Sequence, residues 1–245
     1  LIIRFRSRLT LGARLFSAIL RPNEGHKYSG LARTQTGANA HMLDKILNPR
    51  FLGTLRDSLS VNLGLKKPRP EKVAGQTLYS AAVAQSRQPV FYTDYSVPDE
   101  IGARFELLVL HVLLLTDALK SEDPSLRETS QALFDTLMQA LDDTLREQGI
   151  GDLSVPKKMK KLGQEVYTRM VRWNEMWEQD ASPEVQADYL RRTLYAGQEE
   201  AAALPLWSLG LGHYIKGVRA ELRAERLRDG QADWPVVKSY EVKET

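Results

Sequence analysis

Few groups in this sequence could carry chemistry, and their spacing favours binding over catalysis. Asp143 and Glu147 stand four residues apart, so on a helix they share a face and could form half of a carboxylate metal or acid-base site, with Asp142 beside them. Arg146 lies four residues after Asp142 and three after Asp143, the spacing of surface ion pairs, which accounts for the same carboxylates without catalysis. His26, His41, His111 and His213 are scattered and fit no H-E-x-x-H pattern. With no cysteine in the chain, disulfides, thiolate chemistry and zinc sites built on cysteine are excluded. No serine lies in a G-x-S-x-G elbow and no glycine-rich phosphate loop follows a strand pattern. Gly149-Ile150-Gly151 reads as a helix stop, and Gly210-Leu211-Gly212 as a place where two helices come close. The expectation is a protein that is not an enzyme and needs no cofactor or catalytic metal. His111, inside the apolar run Leu107 to Leu115, is expected to be a core histidine whose ring nitrogens bond to a nearby side chain or carbonyl. His213, next to Tyr214, is read as structural too.

Three groups of residues look suited to holding a partner. Lys157, Lys158, Lys160 and Lys161 crowd the start of one helix, where the positive end of the helix dipole disfavours them. That placement points either to an anionic partner, such as ribosomal RNA or lipid headgroups, or to a plain solvated helix start. Phe91, Tyr92 and Tyr95 fall in a connector bounded by Pro89 and Pro98, which either folds onto the apolar helix as a lid or offers a docking surface. Arg4, Arg6, Arg8 and Arg14 alternate with apolar residues in an opening segment that holds no acidic residue before Asn23. An Arg-rich, Ser-containing, acid-free amphipathic opening has the composition of a mitochondrial targeting segment, and it lacks the apolar core of a secretory signal. If such an arm stays on the chain, a partner surface is needed to hold it, since free termini fray.

The elements that must position these groups are helices. Lys66-Lys67-Pro68-Arg69-Pro70 breaks helical structure and marks a boundary, so residues 1–70 read as a basic, partly irregular extension and 71–245 as a helical domain. The pattern predicts a first helix over 71–85, a non-helical aromatic connector over 89–98, and a helix from Ile101 to about Lys120 that is apolar on most sides and central to the core. Asp123-Pro124, an N-cap and first-turn proline, opens a helix ended by Gly149, Ser154-Val155-Pro156 starts another, and Ser182-Pro183-Glu184 repeats the start signal for one running to Gly197. A final helix is expected over about 204–228, with 219–228 as a solvated charged face. Strand alternation and hairpin dipeptides are nearly absent, so the fold class is all-α.

The charge balance, 34 Lys and Arg against 31 Asp and Glu, leaves a net charge of +3, too small to argue for nucleic acid on its own. The run Leu107 to Leu115 is about half the ~20 residues that span a bilayer, so no transmembrane helix is expected.

In order along the chain, Glu71-Lys72-Val73-Ala74-Gly75-Gln76-Thr77-Leu78-Tyr79, the aromatics at 91, 92 and 95, Val97-Pro98-Asp99, Phe105 and Leu110-His111-Val112-Leu113 resemble the core of the ubiquinol-cytochrome c chaperone family. Leu133-Phe134-Asp135, Gly149-Ile150-Gly151-Asp152, the Lys-rich helix start with Tyr167, and Leu190-Arg191-Arg192-Thr193-Leu194-Tyr195 continue the resemblance, which covers roughly 71–235. It implies a helical mitochondrial assembly chaperone of the cytochrome bc1 complex. Such a chaperone binds newly made cytochrome b, works with a small partner protein and, in some cases, contacts the mitochondrial ribosome. It also implies a place on the matrix side, associated with the inner membrane. The unmatched extension supports a second expectation, a repurposed member that remains as a permanent accessory subunit of a respiratory complex or mitoribosome.

Overall fold

Apolar side chains recurring at helical spacing build the whole described fold. The computed structural model describes residues 68–196 and 206–237, and among them there are eight helices and no strand. The helices are α1 (Pro70–Ser86), α2 (Pro89–Thr93), α3 (Ile101–Ala118), α4 (Pro124–Glu147), α5 (Val155–Glu178), α6 (Pro183–Thr193), α7 (Leu206–Glu221) and α8 (Ala224–Arg228). The chain is all-α, as its pattern predicts. The expected extension over 1–70 lies almost wholly outside the described residues.

Helix α3 occupies the centre because it has almost no polar face to give to water. Leu107, Val109, Leu110, Val112, Leu113, Leu114 and Leu115 are all buried, and α1, α4, α5 and α7 pack around it. Helix α1 presents small residues, Ala74, Gly75 and Ala82, on its buried face with Leu78. This lets it lie close against α4, which contributes Leu133, Phe134, Leu137 and Leu141. A Cβ at Gly75 would fall 2.6 Å from both Ala132 Cβ and the Leu133 amide nitrogen, so the two backbones touch at a point only glycine permits. Gly212 plays the same part between α7 and α6, where a Cβ would strike the Pro183 carbonyl oxygen. That is the close helix approach expected of the Gly210-Leu211-Gly212 stretch.

The expected helix starts lie at Pro124, Val155 and Pro183, each with proline in the first turn. Asp123 caps α4, its Oδ1 accepting from the Ser125 amide at 2.9 Å. After α4, Gly149 takes φ +76°, the left-handed conformation that ends a helix.

Three details differ from the sequence pattern. The aromatic connector is not wholly irregular: Pro89 begins one short turn of helix, α2, closed by Asp94 N–H donating to Val90 O at 2.9 Å. Helix α6 ends at Thr193, and residues 194–196 form a turn with Tyr195 N–H donating to Leu190 O. The last expected helix is two. Arg223 is extended (φ −121°, ψ 124°), and this break turns both Leu222 and Leu227 inward; on one continuous helix, residues five apart would point about 140° away from each other. The 219–228 segment is therefore not a uniformly solvated face. Arg219 itself donates to Asp117 Oδ2 at 2.9 Å and lies over the Trp177 ring, 5.0 Å from its centre.

Among the described residues no helix is long and apolar enough to cross a membrane.

Candidate binding site

The connector aromatics are placed by α2, which folds them towards α3. Phe91 and Tyr95 are buried, and Tyr92 is half-buried. The Tyr92 hydroxyl donates to Ser86 O at 2.9 Å, and the Arg104 guanidinium lies 5.5 Å from its ring centre. Of the two arrangements open to this connector, the lid is the one adopted by Phe91 and Tyr95. Ser96, at φ +50°, turns the chain so that Val97 is buried as well.

Phe91 packs edge-on against His111 at 5.3 Å and against Tyr214 at 5.2 Å. His111 is fully buried. Its Nδ1 lies 2.7 Å from Leu107 O and its Nε2 lies 3.0 Å from the Tyr214 hydroxyl. A carbonyl can only accept, so Nδ1 carries the proton, and Nε2 accepts from the Tyr214 O–H. That hydroxyl in turn accepts from Gln85 Nε2 at 3.1 Å. Both ring nitrogens of His111, the Tyr214 hydroxyl and the Gln85 amide nitrogen are thus engaged, and the network ties α1, α7 and α3 together. Trp234 closes it from outside, 5.3 Å from the His111 ring.

Burial pushes the His111 pKa down to about 4, with the Leu107 carbonyl acting weakly in the opposite direction. The folded chain therefore refuses a proton that the unfolded chain, near 6.5, accepts. Stability from this group is intact above the unfolded value and is lost as pH falls from 6.5 towards 4. By pH 5 the loss is about 2 kcal/mol. Urea unfolding at pH 7.5 and pH 5 should show a difference smaller by that amount in His111→Gln than in the parent chain; equal differences would mean that His111 does not govern it.

A second buried tyrosine fixes the connector to the other side of the fold. Tyr195 is fully buried, donates to Tyr95 O at 2.7 Å and lies with its ring centre 4.0 Å from that of Trp207. Burial raises its pKa well above the ordinary tyrosine value. On α5, Arg169 donates to Glu106 of α3 at 2.7 Å and pairs with Glu165. Burial works against its charge, but the two carboxylates outweigh that and raise its pKa. Tyr189, pushed up to about 12 by burial, packs edge-on against Trp173 in the same region.

Of the carboxylates that first suggested chemistry, Asp142 and Asp143 make ordinary surface contacts. Arg146 bonds Asp142 and Asp152, each at 2.6 Å, and Asp143 accepts from Gln139. Among the described residues no group of His, Asp and Glu is arranged to hold a metal ion. His213 is exposed on α7, unlike His111.

Lys157, Lys158, Lys160 and Lys161 occupy the first two turns of α5. Lys157 and Lys160 are exposed and the other two half-exposed, and none has an ion-pair partner among the described residues. Arg4, Arg6, Arg8 and Arg14 lie outside the described residues. The lysines and the connector aromatics sit on different elements, and the aromatics are committed to the core apart from Tyr92. Sequence reasoning located His111 correctly but not its partners Gln85, Tyr214 and Trp234. The signal for Tyr214 was there: a hydroxyl and an imidazole, each on an apolar helical face, must each find a partner once buried.

The ubiquinol-cytochrome C chaperone family profile matches residues 93–225, from the connector to the end of α7 and into α8. The fold is similar to the crystal structure of the Cbp3 homolog from Brucella abortus, with a TM-score of 0.61 and 28% sequence identity over 78% of this chain and 99% of that one. No curated protein sequence matches the chain.

Proposed function

This chain belongs to the ubiquinol-cytochrome C chaperone family and is a non-catalytic assembly factor rather than an enzyme, and we propose that it assists assembly of the cytochrome bc1 complex by holding newly made cytochrome b. The observation that carries the reading is the family match across 93–225, joined to a fold that superposes on nearly the full length of the Cbp3 homolog. The chemistry of the molecule agrees with it. The buried Gln85, Tyr214 and His111 are bonded to one another, and half-exposed Tyr92 and the α5 lysines are suited to contact rather than turnover. A small helical partner protein, together with the half-exposed Tyr92 and its neighbour Arg104, would complete the client-holding surface. The proposed location is the mitochondrial matrix side of the inner membrane, with Arg4, Arg6, Arg8 and Arg14 serving in targeting or in contact with the anionic surroundings of the ribosome.

Pulse-labelling of mitochondrial translation followed by capture of the chain under mild detergent tests this. Labelled cytochrome b should be recovered early and lost as the complex matures. Absence of cytochrome b at every time would overturn the reading, and stoichiometric retention in the finished complex would replace it with a resident accessory subunit.

A further inference from the structure

We infer that the turn before α5 and the first two turns of that helix form a docking surface for an anionic lipid bilayer, with Leu153 entering the interface and Lys157, Lys158, Lys160 and Lys161 contacting the headgroups. This deepens the membrane-associated part of the proposed function and does not depend on the identity of the client.

The turn is closed by Ser154 N–H donating to Gly151 O at 2.8 Å, which leaves Leu153 near its apex. Leu153 is 99% exposed, far beyond any other large apolar residue described except Val236 at 83%. On this hydrogen-bonded turn Leu153 buries almost nothing against the described residues, and its apolar surface is open to a contact from outside them. The helix that follows supplies the charge. At 100° per residue the four lysines cover an arc of about 160°, centred opposite the face that buries Val155, Leu162 and Val166. The arc therefore points away from the core, and Leu153 stands at its leading edge.

Among the described residues no carboxylate forms an ion pair with these lysines. The adjacent acids are engaged elsewhere, Asp152 by Arg146 and Glu165 by Arg169. Ser154 makes no side-chain cap on α5 and no acidic residue stands in its first turn, so no carboxylate there offsets the ammonium groups. Half-exposed Lys158 and Lys161 can lay their stems on the protein and extend their charge outward, as lysine does at a membrane interface.

Lipid is favoured over RNA by what accompanies the charge. Surfaces that bind single-stranded RNA offer aromatic rings for base stacking, and from Ile150 to Lys161 there is none. An isolated exposed leucine has no role against a phosphate backbone but partitions readily into the headgroup–acyl boundary.

The absence of cysteine allows a direct test on the full chain. Leu153→Cys is labelled with an environment-sensitive fluorophore and titrated with vesicles of phosphatidylcholine containing about a third phosphatidylglycerol, and with phosphatidylcholine alone. Ser80→Cys, exposed on α1, carries the same label as a control. The label at 153 should shift to the blue with the anionic vesicles only, the label at 80 should not, and high salt should reverse the shift. Combining Lys157→Gln, Lys158→Gln, Lys160→Gln and Lys161→Gln should weaken the affinity read at 153 on the order of a thousandfold, with helical content by circular dichroism unchanged. No shift at 153 while the chain sediments with vesicles would overturn the proposal and assign binding to another segment. An equal response to phosphatidylcholine would overturn it too, as would a response at 153 to an RNA oligonucleotide but not to vesicles.

Discussion

Replacing Tyr195 with alanine should cost the chain about 4 kcal/mol and lower its urea midpoint more than any change at the protein surface. The side chain is fully buried, its ring lies against Trp207 and its hydroxyl donates to the Tyr95 carbonyl. Truncation removes the largest fully buried side chain described and leaves an apolar cavity between the turn after α6 and the start of α7. It also orphans a backbone carbonyl in the connector. Tyr195→Phe separates the two effects. It keeps the packing and loses only the bond, so it should cost about 1–2 kcal/mol. If the two variants proved equally destabilised, packing against Trp207 would not be the main contribution. The functional consequence follows from position. The Tyr195 bond holds the segment between α2 and α3, and with it the placement of half-exposed Tyr92. Tyr195→Phe should therefore weaken client recovery more than its stability loss explains, if Tyr92 belongs to the client surface.

The second large effect is expected at Gly75, from adding atoms rather than removing them. Gly75→Leu should destabilise the chain by upwards of ~3 kcal/mol, at or beyond the usual range for overpacked cores. A Cβ there meets Ala132 Cβ and the Leu133 amide nitrogen at 2.6 Å, and the second of these is backbone, so α1 and α4 must separate to accept it. Separation exposes Leu78 and Leu133, both fully buried. Gly163→Ala is the contrast. On α5 its Cβ would meet only Met138 Cε, at 3.4 Å, the mobile end of a flexible side chain. With alanine favoured over glycine in a helix by up to ~1 kcal/mol, that variant should be neutral or slightly stabilised. Thermal unfolding of the two variants beside the parent chain checks both expectations. Equal losses at the two positions would mean that close approach of α1 to α4 is not what requires glycine at 75.

Gly75 and Gly163 look alike in sequence, each a glycine inside a helical pattern, and nothing local separates them. What separates them is the neighbour: a helix backbone in one case, the tip of a methionine in the other. The same distinction runs through the molecule. The helix starts at Pro124, Val155 and Pro183 and the stop at Gly149 were legible because they depend on local chemistry, namely a first-turn proline with no N–H to lose, joined at Asp123 by a side-chain cap that Ser154 and Ser182 do not make, and a left-handed glycine. The burial of α3 was legible because a helix apolar on nearly all sides has no stable place except the centre. His111 could be read as a satisfied core histidine for a similar reason, since a polar group in such a helix must bond or cost free energy.

The short helix α2 and the break at Arg223 were not legible. Each serves burial at a distance: α2 turns Phe91 onto His111 and Tyr214, and the break lets Leu222 and Leu227 both face inward. The partners of His111 come from α1 and α7, far along the chain, and no periodicity names them. For the lysines of α5, spacing alone placed four charges near one helix start. Only the packed structure put their arc opposite the core, left them without acidic partners among the described residues, and raised Leu153 at the edge. The amino-acid sequence by itself determined an all-helical, cysteine-free chain and where most helices begin, because those choices are made within a turn or two of backbone. The tertiary structure decided which polar groups satisfy one another and which remain outside for a partner, because burial depends on residues far apart in sequence.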